Sequence, residues 1–87
     1  MEKRIGTITL LVSDRRKAED VNRLLSEYGD IILCRQGLPL QGEPVSVISL
    51  IVSGSVDRIN GLCGKSGRIA GVEAKAVVTK SGYAVNQ

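Results

Sequence analysis

Three consecutive residues, Gly64, Lys65 and Ser66, are of the types that bind phosphate at the end of a nucleotide-binding P-loop. A P-loop also needs a glycine five residues before Gly64 and a strand that leads directly into the loop. That position is Ile59, and a helix-like stretch precedes the motif. Because a helix C-terminus presents free carbonyl groups instead of N–H donors, we expect Lys65 to be a solvated charge and no phosphate site to form here.

Histidine, the side chain that most often acts as a general acid or base, is also missing from the sequence. The 87 residues include no histidine, so no Ser–His or Cys–His pair can form. Two cysteines, Cys34 and Cys63, do not complete the four-ligand set that zinc prefers, and we expect both to be buried apolar residues. The sequence therefore predicts no catalytic residue, no metal site and no cofactor, and a protein that is not an enzyme.

Nucleic-acid binding has little support in the residue pattern. The stretch 64–67 matches the GxxG loop of KH domains, but an alternating strand follows it where that fold has a helix. RNA-recognition motifs stack bases on aromatic side chains in two strands, and the only aromatic residues here are Tyr28 and Tyr83. The net charge of +3 is scattered, with one basic cluster at 15–17. We therefore expect nucleic acid to be bound only with the help of a partner, if at all.

The spacing of apolar residues predicts the elements that position these side chains. Alternating or continuous β-branched stretches are typical of strands, and three- and four-residue spacing is typical of helices. Ser13 and Asp14 are N-cap candidates for the first helix, and Ser55 is one for the second. The predicted order is strand 4–12, helix 15–28, strand 30–38, strand 45–53, helix 56–63 and strand 72–80. This β-α-β-β-α-β order predicts an α+β, ferredoxin-like fold with two helices on one face of a four-stranded antiparallel sheet.

Four glycines around the second helix have predicted structural roles. Gly64 and Gly67 are expected to end the helix, and Gly61 and Gly64 are expected to let it approach the sheet closely. Gly67 or Gly71 is expected to supply a turn with positive φ before the last strand.

The predicted strands carry apolar residues on both faces, although two helices cover only one. Leu11, Val47, Ile51 and Val77 would form an exposed apolar patch on the uncovered face. We expect a homo-oligomer, a dimer or a tetramer, that packs through this open sheet face or through a strand edge.

Length and composition predict one domain over residues 1–80 and a flexible tail over residues 81–87. The apolar runs are shorter than the roughly 20 residues that cross a bilayer, and no signal segment precedes the first strand. We expect a cytoplasmic protein that does not enter the membrane.

Several stretches resemble a small family of proposed regulators of the iron-only hydrogenase system. They are the opening MEKR, the SDR of 13–15, the segment DIILCRQGLP of 30–39 and the run GKSGRIAGV of 64–72. The resemblance covers about residues 1–80. It implies a ferredoxin-like fold akin to ACT domains and to the C-terminal domain of the nickel-responsive repressor. It further implies a regulatory, non-enzymatic role with a hydrogenase-related protein partner.

Two features limit what the resemblance carries over. The nickel-responsive repressor binds its metal mainly through histidines, which this sequence lacks. The first strand begins at residue 4, which leaves no separate DNA-binding segment before it. DNA would have to bind to the folded domain itself or to a partner protein.

ACT-like domains often bind small effectors at subunit interfaces, near the turn between the first strand and the first helix. By this resemblance Asp14 and Arg15 in the turn, with Arg35 and Gly37 on the second strand, are candidate ligand-binding residues. Arginine grips carboxylate or phosphate through two parallel hydrogen bonds, and glycine lets a ligand approach the backbone. The simpler alternative is that Arg35 pairs with a carboxylate at the surface or at an oligomer interface. Three functions stay open: an effector-sensing regulatory domain, an oligomeric adaptor without a ligand, and a weak nucleic-acid binder.

Overall fold

The computed structural model describes residues 2–84, with side chains up to residue 82, and contains five strands and two α-helices. A short 3-10 turn, Arg15–Lys17, leads into the first helix. The elements are β1 (Glu2–Val12), α1 (Ala18–Glu27), β2 (Ile32–Pro39), β3 (Ser46–Gly54), α2 (Val56–Gly67), β4 (Val72–Val78) and β5 (Tyr83–Ala84).

The sheet has the strand order β2-β3-β1-β4, and every neighbouring pair is antiparallel. β1 lies at the centre, where Leu10 is opposite Ile48 of β3 and Ala74 of β4. β2 and β3 form a hairpin with a bulge between Ile32 and Cys34. The α+β, ferredoxin-like fold predicted from the order of apolar patterns is confirmed.

The core lies between the sheet and the two helices. Ile8 and Leu50, from the central strands, have no exposed surface, and neither do Ile59 and Leu62 of α2. α1 adds the buried residues Val21 and Leu25, while the alternate residues of β1 and β3 face away from the helices. This alternation follows from the two-residue period of a strand and leaves one face of the sheet without a helix.

Of the predicted N-cap candidates, Asp14 and Ser55 are confirmed, and Ser13 is not the cap. The Asp14 carboxylate accepts a hydrogen bond of 3.0 Å from the backbone N–H of Arg16, and the Ser55 hydroxyl accepts one of 3.1 Å from that of Arg58. The helix predicted over 15–28 starts as the 3-10 turn and becomes α-helical only at Ala18.

α2 ends later than predicted. It continues through Gly64 to Gly67, so the predicted stop at Gly64 is wrong. A Cβ at Gly64 would meet nothing within 4 Å, whereas one at Gly61 would lie 3.3 Å from the hydroxyl of Tyr28, which directly follows α1. Gly61 therefore lets α2 come close to the end of α1, and the predicted close approach of Gly61 and Gly64 to the sheet is wrong. Gly71, with φ 81°, supplies the turn into β4.

The chain beyond β4 includes a short strand that the sequence did not predict. Tyr83 and Ala84 pair with Lys3 and Glu2 at the start of β1. The other end of the predicted tail, residues 85–87, lies outside the described residues.

Candidate ligand-binding site

An open cleft of about 510 Å³ lies between the start of α1 and the β2–β3 hairpin. We call it the hairpin cleft. Val12, Val21 and Ile48 contribute apolar surface to its wall. The polar side chains in the wall are those of Arg15, Asn22, Arg35 and Ser46. The remaining wall residues are Ala18, Gly37, Leu38, Pro39 and Val47. Its volume falls in the range of roughly 300–1,000 Å³ that is usual for small-molecule sites.

The cleft exists because α1 leaves the end of the hairpin uncovered. Every residue of β2 after Ile32 is exposed, in contrast to the buried alternate residues of β3. Gly37 lies opposite Ile48, on the side of the sheet that the helices cover. A Cβ at Gly37 would meet nothing within 4 Å, so the space above this backbone is open to a ligand.

Two guanidinium groups border the cleft from opposite walls. Arg35 is on β2, opposite Leu50 of β3, and its guanidinium donates a hydrogen bond to the side-chain oxygen of Asn22 on α1. Arg15, in the 3-10 turn, donates one of 3.4 Å to the main-chain carbonyl of Glu43 in the hairpin loop. Both acceptors are neutral, so these contacts orient the arginines without neutralising them.

No carboxylate compensates these two charges within residues 2–84. The ion pairs of the described chain use other basic residues, and no acidic side chain lines the cleft. Within this part of the chain the side-chain partner of Arg35 is the amide oxygen of Asn22, and a carboxylate at an oligomer interface stays an open alternative. The arrangement suits an anion, since a guanidinium binds carboxylate or phosphate through directed hydrogen bonds.

Asp14, the fourth predicted ligand-binding residue, is not in the cleft wall. Its two carboxylate oxygens accept hydrogen bonds of 3.0 Å from the Arg16 side chain. These hydrogen bonds from Arg16 hold the pKa of Asp14 below its usual value. Asp14 caps the turn, while Arg15, Arg35 and Gly37 come together.

The sequence reasoning missed two members of the site. Asn22 lies one helical turn after Ala18, beside the buried stripe of α1, and Glu43 contributes only its backbone carbonyl. The one sequence signal that could have indicated Asn22 is its position as a polar residue at the margin of an apolar helix stripe. No side-chain pattern indicates a carbonyl in a loop.

The face of the sheet opposite the helices carries the predicted apolar patch. We call it the open face. Strand register arranges it in three rows across β2, β3, β1 and β4, which are Leu38-Val47-Leu11-Glu73, Gln36-Ser49-Thr9-Lys75 and Cys34-Ile51-Thr7-Val77. Ile51 is 41% exposed and Val77 is 70% exposed. The four residues predicted for an interface thus share this face.

The phosphate-like motif has the structural role expected from the sequence. Lys65 lies in the last turn of α2, with its ammonium 5.4 Å from the centre of the Tyr28 ring. Ser66 is buried, and its hydroxyl donates a hydrogen bond of 2.7 Å to the Leu62 carbonyl. The motif is therefore part of the continuous helix α2.

The cysteines differ from the prediction. Cys63 is half-buried against the core, but Cys34 is exposed on the open face, so its expected burial is wrong. β2 is an edge strand whose residues face solvent, and a sequence pattern does not show which strand takes the edge. Over residues 2–84 no group of three potential metal ligands occurs, and no helix there is long and apolar enough to cross a membrane.

Comparison with solved structures supports this architecture. The uncharacterized protein TM1266 from Thermotoga maritima is 41% identical, with a TM-score of 0.84 over 91% of this chain and 100% of that one. The de novo designed protein Foldit4 has a TM-score of 0.63 at 13% identity, which shows the fold alone.

Comparison with known sequences identifies the family. The "uncharacterized transcriptional regulator MJ0080" of Methanocaldococcus jannaschii is 31% identical over 81 residues, which are 93% of this chain and 61% of that protein. This chain thus spans about three fifths of the relative's length. The model of the TM1266-like family, described as "Iron-only hydrogenase system regulator, putative", matches residues 4–76. The chain therefore belongs to the TM1266-like family of proposed iron-only hydrogenase system regulators.

Proposed function

We propose that this chain is a non-enzymatic regulatory domain of the iron-only hydrogenase system that senses a small organic anion in the hairpin cleft. One observation carries the proposal: Arg15 and Arg35 border a cleft of about 510 Å³ that has no carboxylate in its wall. Family membership supports the regulatory role.

The cleft wall defines the chemistry of the effector. Two guanidinium groups favour a carboxylate or a phosphate, and the apolar side chains of Val21 and Ile48 favour a hydrocarbon or ring next to the anionic group. The hydrogen bond that Arg35 donates to the side-chain oxygen of Asn22 holds the guanidinium in place before a ligand arrives, which lowers the entropy cost of binding.

The position of the cleft supplies a route from binding to regulation. One wall is α1 and its preceding turn, and the other is the β2–β3 hairpin. A ligand that contacts both arginines would join these two elements and restrict the hairpin. A partner protein that recognises the hairpin would then bind with a different affinity.

A thermal-shift screen tests the proposal. The panel contains small carboxylates, amino acids, phosphorylated metabolites, nucleotides and metal ions, each at millimolar concentration. A ligand at 100 times its dissociation constant stabilises the folded state by about 2.7 kcal/mol, which raises the Tm by several degrees. We expect anions with an apolar group to give the rise and metal ions to give none.

Matched variants locate the site. Arg35→Ala should abolish the rise, and Asn22→Ala should weaken it because the arginine loses its support. Arg23→Ala, also an exposed arginine and paired with Asp20 on α1, should leave it intact. No rise from any compound would contradict the proposal and favour an oligomeric adaptor that works through its open face.

A further inference from the structure

The open face is apolar in its first and third rows and polar in its middle row, and no helix in residues 2–84 covers it. Its first and third rows contain Leu38, Val47, Leu11, Ile51 and Val77, and no helix covers any of them. We propose that a second copy of this chain covers the open face, related by a two-fold axis that runs parallel to the strands between β1 and β3. The inference needs no ligand and is independent of the function proposed above.

The size of the face suits a protein dimer. Four strands about 4.8 Å apart, with seven residues of about 3.3 Å each, give a flat area of about 440 Å² per copy. Side-chain relief increases this value, so two such faces together approach the lower end of the roughly 1,200–2,000 Å² that stable interfaces bury. Aligned sheets pack face to face in this way at about 10 Å.

The charges of the face favour a copy of itself over a charged partner. The whole chain has a net charge of +3, yet the three rows contain one acid, Glu73, and one base, Lys75. Neither takes part in an ion pair within the described part of the chain. An electrically balanced apolar face meets a second copy without net repulsion, whereas a nucleic acid requires clustered basic residues.

The register determines which two-fold axis fits. An axis parallel to the strands puts each row against the same row of the partner, reversed. Leu11 then lies over the partner's Val47, Val77 over the partner's Cys34, and Lys75 over the partner's Gln36. Two apolar pairs therefore match, and the lysine meets a neutral hydrogen-bonding group. Among the remaining pairs Leu38 lies over the partner's Glu73 and Ile51 over the partner's Thr7. Glu73 is on the edge strand β4, where its carboxylate stays in contact with solvent.

Other two-fold axes fit less well. An axis perpendicular to the strands through the middle row would place Lys75 over the partner's Lys75. Shifting that axis by half a row toward Leu11 would pair Glu73 with the partner's Lys75, but it would leave the row of Ile51 and Val77 uncovered. The first arrangement brings like charges together, and the second leaves two exposed apolar side chains of the face in solvent.

A hollow on the same face matches the chosen arrangement. It measures about 310 Å³ and lies between β2 and β3, with Gln36, Leu38, Val47 and Ser49 in its wall. The partner's β1 passes over this hollow, so the partner's Leu11 can fill it.

Thiol cross-linking tests the arrangement in the intact chain. Within one copy Cys34 and Val77 lie on the outer strands of one row, three strand spacings or about 14 Å apart. Between copies they face each other across sheets about 10 Å apart, which is too far for a disulfide but within reach of a short bis-maleimide. Val77→Cys should therefore give a covalently linked dimer with this cross-linker, and adding Cys34→Ser should prevent it.

A cysteine outside the face is the matched control. Val56→Cys, on α2, replaces another exposed valine and should remain unlinked. Failure of Val77→Cys to form the linked dimer, linkage that persists after Cys34→Ser, or equal linkage of Val56→Cys would each overturn the arrangement.

Sedimentation velocity without ligand tests the surface itself. The wild-type chain should be a dimer in the micromolar range. Ile51→Glu and Val77→Glu should each raise the dissociation constant about a hundredfold or more, because each would bury an unpaired charge. Val56→Glu, the same change at a site 37% exposed, should leave the dimer unchanged. A monomeric wild type would overturn the proposal, and so would a dimer that survives both face variants.

Discussion

The two ends of the strand order differ in how well the helices cover them. Around β1, β4 and α2, residues such as Ile8, Ile59 and Leu62 have no exposed surface. Around β2, every residue from Leu33 to Pro39 is exposed, and the hairpin cleft takes the place of packed side chains. We call the first region the packed region and the second the hairpin region.

This difference teaches that stability and recognition are assigned to separate parts of a small domain. A chain of 87 residues can build only one core, and the burial here is concentrated on α2 and the strands beneath it. The hairpin region contributes little to that core, which frees its side chains for binding. Substitutions should therefore affect folding in one region and binding in the other.

The largest effect is expected from truncation in the packed region. Leu62→Ala removes a side chain with no exposed surface and should lower the free energy of unfolding by about 2–5 kcal/mol. Leu38→Ala, the matched change in the hairpin region at a site 61% exposed, should cost about 0.5 kcal/mol or less. Urea unfolding measures both. Equal losses would show that the two regions do not differ in packing.

Two glycines with the same backbone conformation sharpen the comparison. Gly71 and Gly42 have φ values of 81° and 80°, but a Cβ at Gly71 would lie 2.8 Å from the Cβ of Asp14, while one at Gly42 would meet nothing within 4 Å. Gly42→Ala should cost about 1–2 kcal/mol for the left-handed conformation alone, and Gly71→Ala should cost more because the two Cβ atoms collide. Thermal unfolding should show the larger fall in Tm for Gly71→Ala, and the reverse order would contradict the packing at this turn.

A third glycine should stabilise the packed region when replaced. Gly64 is in the interior of α2, and an added Cβ would meet nothing within 4 Å. Gly64→Ala should raise the free energy of unfolding by about 0.5–1 kcal/mol, because alanine loses less backbone entropy in a helix. The measurement is urea unfolding beside the wild type. A loss of stability would show that α2 ends at Gly64 in solution.

The smallest effect concerns the ion pair between Arg58 of α2 and Asp30, which lies two residues before β2. The Arg58 guanidinium donates hydrogen bonds of 3.0 and 2.9 Å to the two carboxylate oxygens of Asp30, and these bonds lower the pKa of Asp30 from its usual 3.8. The stabilisation is therefore present above the unfolded-state pKa and is lost as the pH falls through the folded-state pKa. Asp30→Asn should flatten the acid side of the stability profile, measured as the urea midpoint against pH. The effect should be small because the pair is exposed, and a profile identical to the wild type would contradict it.

Much of the fold was predictable because apolar spacing reports directly on burial. The alternation in β1 and β3 and the helical stripe of Val21, Leu25 and Tyr28 match the core of the structure. The N-caps at Asp14 and Ser55 were predictable because their side chains bond to backbone groups two and three residues away. Each of these features depends on residues that are close together in the sequence, so a single sequence is enough to predict it.

The misses depend on contacts between distant parts of the chain. Gly64 has low helix propensity, but the burial of Ser66 keeps α2 continuous through it. The exposure of Cys34 follows from the edge position of β2, and the pairing of Tyr83 with Lys3 joins the two ends of the domain. Of the site, Arg15, Arg35 and Gly37 were predicted through family resemblance, while Asn22 and the Glu43 carbonyl depend on how α1 meets the hairpin.

Three hairpin residues, Gly37, Leu38 and Val47, belong both to the wall of the cleft and to the hollow of the open face. A ligand on one side and a second copy on the other would contact the same three residues. Thermodynamic reciprocity then requires that any factor by which the ligand changes association equals the factor by which association changes ligand affinity. A cell could adjust the effector threshold of such a regulator simply by changing how much of the protein it makes.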